Sequence, residues 1–338
     1  MEKKQRVPRR ESNYHGLLIV DKPGSSSTPT QPQQVSAAAA MAPRLHTSHD
    51  IVQLVRRWSG QRRIGHTGTL DPMASGVLVL CLGQATRLVE YYQGHDKQYY
   101  AEITLGAATD TYDRMGTVVA ESPVPSLTVA ALEAALATFR GKIQQLPPVY
   151  SALKQDGESL HHKARRGETV TVEPRPVMIH QLQLLDFQPP AQVALRVVCS
   201  AGTYIRSLAH DLGLALQTHA HLSALRREAA GPFTLQAAHS LAAIEAAGQA
   251  EALDNLLLPL GYGLPLAEIV IDEDASRRLG HGQVVALPNP AAPLLPSLAK
   301  GVTADGTLLG ILHALQQAQS GNGDYLWKAE KWFAGTSL

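Results

Sequence analysis

Apolar residues occur in short blocks whose period shifts between two and 3.6, and those shifts divide the chain into elements. Gly16 to Val20 is a short apolar run ending in Asp21-Lys22-Pro23-Gly24, which predicts a strand closed by a turn. Leu78 to Leu82 reads as a buried strand. Tyr99 to Leu105 alternates, with Thr117 to Val119 after Gly116 as its expected hairpin partner. Helical spacing appears at Ile51, Leu54, Val55 and Trp58, with Ser48 as the expected N-cap and Gly60 as the stop. It recurs at Leu132, Leu136 and Phe139, within 128 to 139 and with Gly141 as the expected C′ residue, and at Ile205, Leu208, Ala209 and Leu212 after the β-branched strand Val193 to Cys199.

Irregular interleaving of strands and helices predicts an α+β fold with a mixed, largely antiparallel sheet. Residues 1–14 form a basic tail, and residues 15–260 the main domain. Two segments interrupt that domain: a Ser, Thr, Pro, Gln and Ala-rich stretch at 24–46, expected to be a surface loop, and a Pro-rich, charged excursion at 146–180. Past a relaxed stretch near Pro265, residues 265–338 read as a small β-rich unit. It has one turn of helix near Ala275 to Leu279 and a Pro-rich loop from Pro288 to Pro296.

With 338 residues, 44% hydrophobic and 17% charged, the chain is long enough for a large core and a second unit. No stretch approaches the ~18 apolar residues of a membrane span, and the charged segment Met1 to Arg10 lacks a signal-like apolar region. Cys81 and Cys199 sit apart in apolar runs, as expected of reduced thiols in a cytoplasmic protein. The net charge of +1 hides two basic patches. Arg56, Arg57, Arg62 and Arg63 have no acidic residue among them, and 140 to 180 carries seven Lys/Arg against four Asp/Glu. Such patches suit a phosphate backbone, and a solvated face equally.

The densest unusual stretch is Gly65-His66-Thr67-Gly68-Thr69-Leu70-Asp71-Pro72, followed by Ala74-Ser75-Gly76. Its glycines and small side chains leave room for a ligand, and Pro72 stiffens Asp71. A turn in which Asp71 bonds its own backbone fits the same residues. Phosphoaspartyl chemistry is excluded because His66, not Asp, precedes Thr-Gly-Thr, and no Walker loop, His-Glu-x-x-His or serine elbow occurs. His219 and His221 form a His-x-His pair with no third ligand in view, so no metal is expected.

These residues resemble the TruB family of tRNA pseudouridine synthases, in its bacterial position-55 branch. The resemblance rests on blocks in the family's order: Gly16 to Pro23, Thr47 to Asp50, Gly65 to Gly76, Asp96 to Tyr99, Leu105 to Asp113, Gln145 to Lys154, Ala164-Arg165 with Gly167, Gly202 to Leu208, and Leu222 to Arg227. It implies a pseudouridine synthase catalytic domain with a central cleft, a C-terminal PUA-like domain, and no cofactor or metal. It further implies a cytoplasmic isomerase that flips the T-loop uridine of tRNA, breaks its glycosidic bond, rotates the base and rejoins it through C5. Asp71 matches the catalytic aspartate, Arg206 its cation, and Tyr99 a stacking tyrosine also placed for proton removal. Tyr204 and Leu225 match pocket-closing positions, and His66 a contact to the extruded nucleotide. The 146–180 segment resembles an RNA clamp, with Lys154, Lys163, Arg165 and Arg166 available to phosphates beside Arg62 and Arg63. The expected partner is the T-arm stem loop of tRNA, met by a monomer with no obligate protein partner.

The chain departs from the family pattern at the 24–46 insertion and at Gln98, where the family often has Arg. A short carboxylate could attack C6 of the base or C1′ of the sugar, and the residues leave both open. An RNA-folding chaperone with secondary catalysis, and a nucleoside hydrolase, are the competing readings.

Overall fold

The computed structural model describes residues 13–24, 46–150, 172–288, 297–317 and 324–334, with short pieces at 154–155, 158–159, 166 and 290. Most of the 24–46 insertion and much of 146–180, including Lys163 and Arg165, lie outside the described residues, as does the side chain of Lys154.

The strands of the first part are β1 (Gly16–Lys22), β2 (Ile64–His66), β3 (Ser75–Leu82), β4 (Lys97–Leu105), β5 (Ala107–Thr109), β6 (Val118–Glu121), β7 (Gly141–Gln145), β8 (Lys154–Gln155), β9 (Glu158–Ser159), β10 (Arg175–Gln188), β11 (Gln192–Cys199), β12 (Ala220–Ala230), β13 (Phe233–Thr234) and β14 (Leu257–Leu258). Helices α1 (Ser48–Ser59), α2 (Val89–Gln93), α3 (Val129–Ala137), α4 (Ile205–Ala215) and α5 (Leu241–Gln249) are interleaved with them. The main sheet runs β14-β1-β3-β12-β4-β11-β10-β7, with β2 beside β3 and β13 beside β12. Its pairings are antiparallel except at the centre, where β12 meets β3 in parallel over Arg226–Ser75 and Arg227–Gly76.

Burial explains the two strand signatures. On β1 and β3, Leu18, Val20, Leu78, Leu80 and Leu82 enter one core while Leu17, Ile19, Val77, Val79 and Cys81 enter another on the opposite face. Both faces are covered, so the apolar run is unbroken. On β4 only Tyr99, Ala101, Ile103 and Leu105 are buried, which produces the alternation.

The second sheet, order β15-β17-β18-β19-β16, is built from β15 (Ala267–Val270), β16 (Val285–Leu287), β17 (Leu298–Val302), β18 (Leu308–Gln317) and β19 (Tyr325–Trp332), with helix α6 (Glu273–Gly280) against it. It has a core of its own around Trp327 and Leu279, and its Val302, Leu308, Ile311 and Phe333 join the core behind β1 and β3.

Four sequence expectations need correction. The α1 N-cap is Thr47, which forms a capping box with Asp50, while Ser48 lies inside the helix and is buried. The partner of β6 is β5, because β4 is already paired on both edges by β11 and β12. Gly141 does not cap α3, whose C-cap is Thr138; it opens β7 at φ 84. Arg175 to His180 belongs to the main sheet as the start of β10, so the excursion ends earlier than 180.

Candidate active site

The loop Thr67–Ala74 joins β2 to β3 and leads into the parallel junction of β3 with β12, and buried groups from distant parts of the chain hold it in place. Ser48 Oγ accepts from the Leu70 amide at 2.9 Å and donates to the Leu70 carbonyl at 3.1 Å, tying the residue before Asp71 to α1. Lys22, at the end of β1 and 0% exposed, donates from Nζ to the carbonyls of Pro23, Pro72 and Ala74 at 3.1, 3.1 and 2.6 Å. Burial pushes its ammonium down to about 8. Arg227 on β12 donates to Val77 O at 2.6 Å and to Gly68 O at 3.2 Å, spanning the place where the parallel ladder stops. Gly24, the last described residue before the insertion, packs against this loop: a Cβ there would lie 2.7 Å from the Met73 carbonyl.

Asp71 meets Arg206 in a fork. Arg206 Nε lies 2.9 Å from Oδ2 and Nη2 donates to Oδ1 at 3.1 Å, the two-pronged geometry in which a guanidinium holds a carboxylate best. Nη1 donates to the carbonyls of Thr111 at 3.3 Å and Tyr150 at 3.0 Å, and sits 3.8 Å from Asp113 Oδ2. Asp113 is buried in a tight turn, its Oδ1 accepting from Thr111 Oγ1 and the Met115 amide. The Arg206 side chain is 8% exposed against 30% for Asp71, so the cation is sheathed while the carboxylate keeps some contact with solvent. Burial pushes the Asp71 carboxyl above the usual range; Arg206 pulls it down, Asp113 pushes it up, and Lys22 pulls it down.

Arg206 is the second residue of α4, and a side chain from β7 fixes the start of that helix. Gln145 accepts from the Tyr204 amide at 2.8 Å and donates to the Tyr204 carbonyl at 2.9 Å, while Ser207 Oγ donates to Leu146 O. Tyr204 itself is half-buried.

Across the sheet, Tyr99 pairs in register with Arg227, and Ala101 with Leu225. Because alternate residues share a face, Tyr99 and Leu225 point into the same core as Leu70. Tyr99 is buried beside Arg227, and burial raises its phenol. His66, at the end of β2, has its Nδ1 enclosed without a hydrogen-bond partner, and burial, then Arg227 and then His49, lower its pKa, which favours the neutral ring. Arg62, Arg63 and Arg166 are exposed. Gln98 points to the opposite face and donates to Glu228, which Arg196 also holds. His221 Nδ1 lies 2.9 Å from Ala107 O, and no metal-type cluster occurs among the described residues.

Sequence reasoning gave no role to Lys22, Gln145, Asp113 or Arg227. All four lie in or beside the quoted blocks, and their polar type within apolar surroundings was the available signal.

Residues 56–205 match the TruB family pseudouridylate synthase N-terminal domain, and 206–264 match the tRNA pseudouridylate synthase B C-terminal domain. The tRNA pseudouridine synthase B of Symbiobacterium thermophilum is 50% identical over 243 residues, covering 71% of this chain and 80% of that protein. The protein of the same name from Xanthomonas campestris is 43% identical over 281 residues, covering 82% and 84%. Two solved structures share the fold over 94% of this chain at 24% identity. One is of an H/ACA RNP bound to a substrate RNA containing 2'-deoxyuridine (TM-score 0.68, 85% of that chain), the other of a Cbf5-Nop10-Gar1 complex (0.69, 84%). No helix among the described residues is long and apolar enough to cross a membrane. With both family domains matched in sequence over an Asp71 loop locked to Arg206, the chain belongs to the TruB family of pseudouridylate synthases.

Proposed function

We propose that this protein converts the T-loop uridine of tRNA, position 55, to pseudouridine. The observation that carries the reading is the Asp71–Arg206 fork, a partly exposed carboxylate held by a buried cation. In the reaction the C1′–N1 bond breaks, the uracil turns, C5 bonds to C1′, the C5 proton leaves and N1 takes up a proton in its place. Atoms and electrons balance without water or an oxidant. Asp71 attacks C6 or C1′ and holds one fragment covalently through the turn. Arg206 keeps the carboxylate ionised in a closed site. Tyr99 supplies a ring face for the flipped base, a contact worth ~1–3 kcal/mol, and is placed to take part in proton removal. Leu225 and Tyr204 close the pocket, and His66 contacts the extruded nucleotide.

Arg62 and Arg63 beside α1, with Lys154, Lys163, Arg165 and Arg166, would meet the phosphates of the T-arm, and residues 265–338 form a PUA-like unit that adds RNA contacts. The protein acts as a monomer without a bound cofactor. The test is incubation with an unmodified tRNA transcript, followed by mapping of pseudouridine for wild type and Asp71→Asn. Pseudouridine at the T-loop uridine with wild type alone supports the reading. Release of free uracil would identify a hydrolase, and tRNA binding without modification by folded wild type a chaperone.

A further inference from the structure

Tyr112 sits between the two groups that face the inner side of Arg206: the Thr111 carbonyl precedes it and the Asp113 carboxylate follows. Its backbone is left-handed at φ 62, a conformation that disfavours a bulky side chain and persists where surroundings over-determine it. Those surroundings are visible. The Tyr112 amide donates to Thr109 O, its carbonyl accepts from the Leu222 amide at 3.0 Å, and Thr109 Oγ1 donates to Asp113 O at 2.6 Å. The ring completes the set by stacking on His210, with centroids 4.0 Å apart and planes 9° from parallel.

His210 lies one helical turn beyond Arg206 on α4, on the same face. Its Nδ1 is enclosed without a hydrogen-bond partner, so packing on the Tyr112 ring, and no polar bond at that atom, accounts for its place. Burial, and secondarily His219, lower its pKa, consistent with a neutral ring in the stack.

We propose that Tyr112 and His210 are positioning residues whose stack clamps the Asp113 turn to α4 and thereby presets the Arg206 guanidinium toward Asp71. The inference rests on Asp71 and Arg206 being the reacting pair. Neither ring takes part in the chemistry; each acts through Arg206. Small displacements of a reacting group are costly, so the clamp is felt in the chemical step and not in tRNA affinity.

The test measures single-turnover pseudouridine formation, tRNA affinity and melting temperature for His210→Ala, Tyr112→Gly, the double variant and His210→Phe. Tyr112→Gly keeps the φ 62 backbone at ease while removing the ring, so it folds even if His210→Ala does not. Expected are a rate loss on the order of tenfold in each single variant, tRNA affinity within about twofold of wild type because no phosphate contact is removed, and a double variant no slower than the slower single. His210→Phe, which keeps a ring in the stack, recovers most of the rate. Unchanged rates, multiplicative losses in the double variant, or His210→Phe as slow as His210→Ala would overturn the clamp. Asp71→Asn, run alongside, separates the two ideas: an active Asp71→Asn removes the reacting-pair assignment itself, whatever the other variants do.

Discussion

Replacing Arg206 with Met keeps an unbranched stem in the helix and removes the charge that faces Asp71. The guanidinium nitrogens are 2.9 and 3.1 Å from the carboxylate oxygens. Charge centres about 4 Å apart attract by about 4 kcal/mol at an effective dielectric of about 20. The Asp71 side chain is 30% exposed, so solvent screening removes roughly half, leaving about 2 kcal/mol in favour of the ionised carboxylate. Burial already places the wild-type carboxyl above the usual range, and Arg206 is the largest influence opposing it. In the proposed mechanism Asp71 reacts as the carboxylate, so the rate rises with pH through the Asp71 pKa, and this acid limb moves to higher pH in Arg206→Met.

Single-turnover pseudouridine formation with enzyme in excess, from about pH 5 to about pH 9, measures the limb directly. The variant loses about 10- to 100-fold on the acid side and recovers part of that loss as pH rises past the new pKa. A melting curve at each pH separates the chemistry from folding, since the Thr111 and Tyr150 carbonyls also lose their donor. A loss of equal size at every pH, in protein that remains folded, would refute the reasoning, because Arg206 would then not act through the ionisation of Asp71.

Two further outcomes follow from the loop's supports. Burial pushes the Lys22 ammonium down to about 8 from the usual 10.5 of a lysine. Below about 8 both states hold the proton and above about 10.5 neither does; between them the unfolded chain binds more, so raising pH through this window stabilises the fold. The gain of wild type over Lys22→Met should therefore grow by on the order of 3 kcal/mol between about pH 8 and about pH 10.5, and a constant gap in chemical denaturation across that range would contradict it. Gly76 has φ 99, and a Cβ there would lie 2.2 Å from the Arg227 carbonyl. Gly76→Ala therefore loses about 3 kcal/mol or more of stability, read as a lower melting temperature, and a variant melting with wild type would show that the junction yields.

How far the fold could be read from sequence depended on whether the strand ladders were regular. β1 and β3 were visible because both faces are buried, and β4 because one is. β10 and β12 were not recognised as strands. β10 shifts register between Ile179 and Gln181 and again between Leu184 and Asp186; β12 shifts between Leu222 and Ala224 and between Arg227 and Ala229. Each bulge inserts one residue and reverses the inside-outside alternation, so no period of two survives along either strand. In the site, the Asp71 loop declared itself by its small residues, whereas Arg206 was reached only through resemblance. Lys22, Gln145 and Arg227 bind backbone carbonyls 50, 59 and 150 residues away, and a carbonyl leaves no trace in the identity of its residue.

The parallel pairing at the centre of the sheet explains why these buried cations are needed. The sheet is otherwise antiparallel, and β12 arrives beside β3 only after the chain has built β4, β11, β10 and β7 on its other side. Their shared ladder covers two register pairs, and the loop that carries Asp71 crosses next to it. Backbone carbonyls there, at Gly68, Pro72, Ala74 and Val77, are supplied with donors by Lys22 and Arg227. Buried carbonyls without donors would cost about 1–3 kcal/mol each. Side chains therefore do at this junction what a ladder does elsewhere, and they leave the loop free to follow a path set by the site. The same Arg227 pairs in register with Tyr99, so the ring proposed to stack on the base and the loop that carries Asp71 are anchored at one residue of β12.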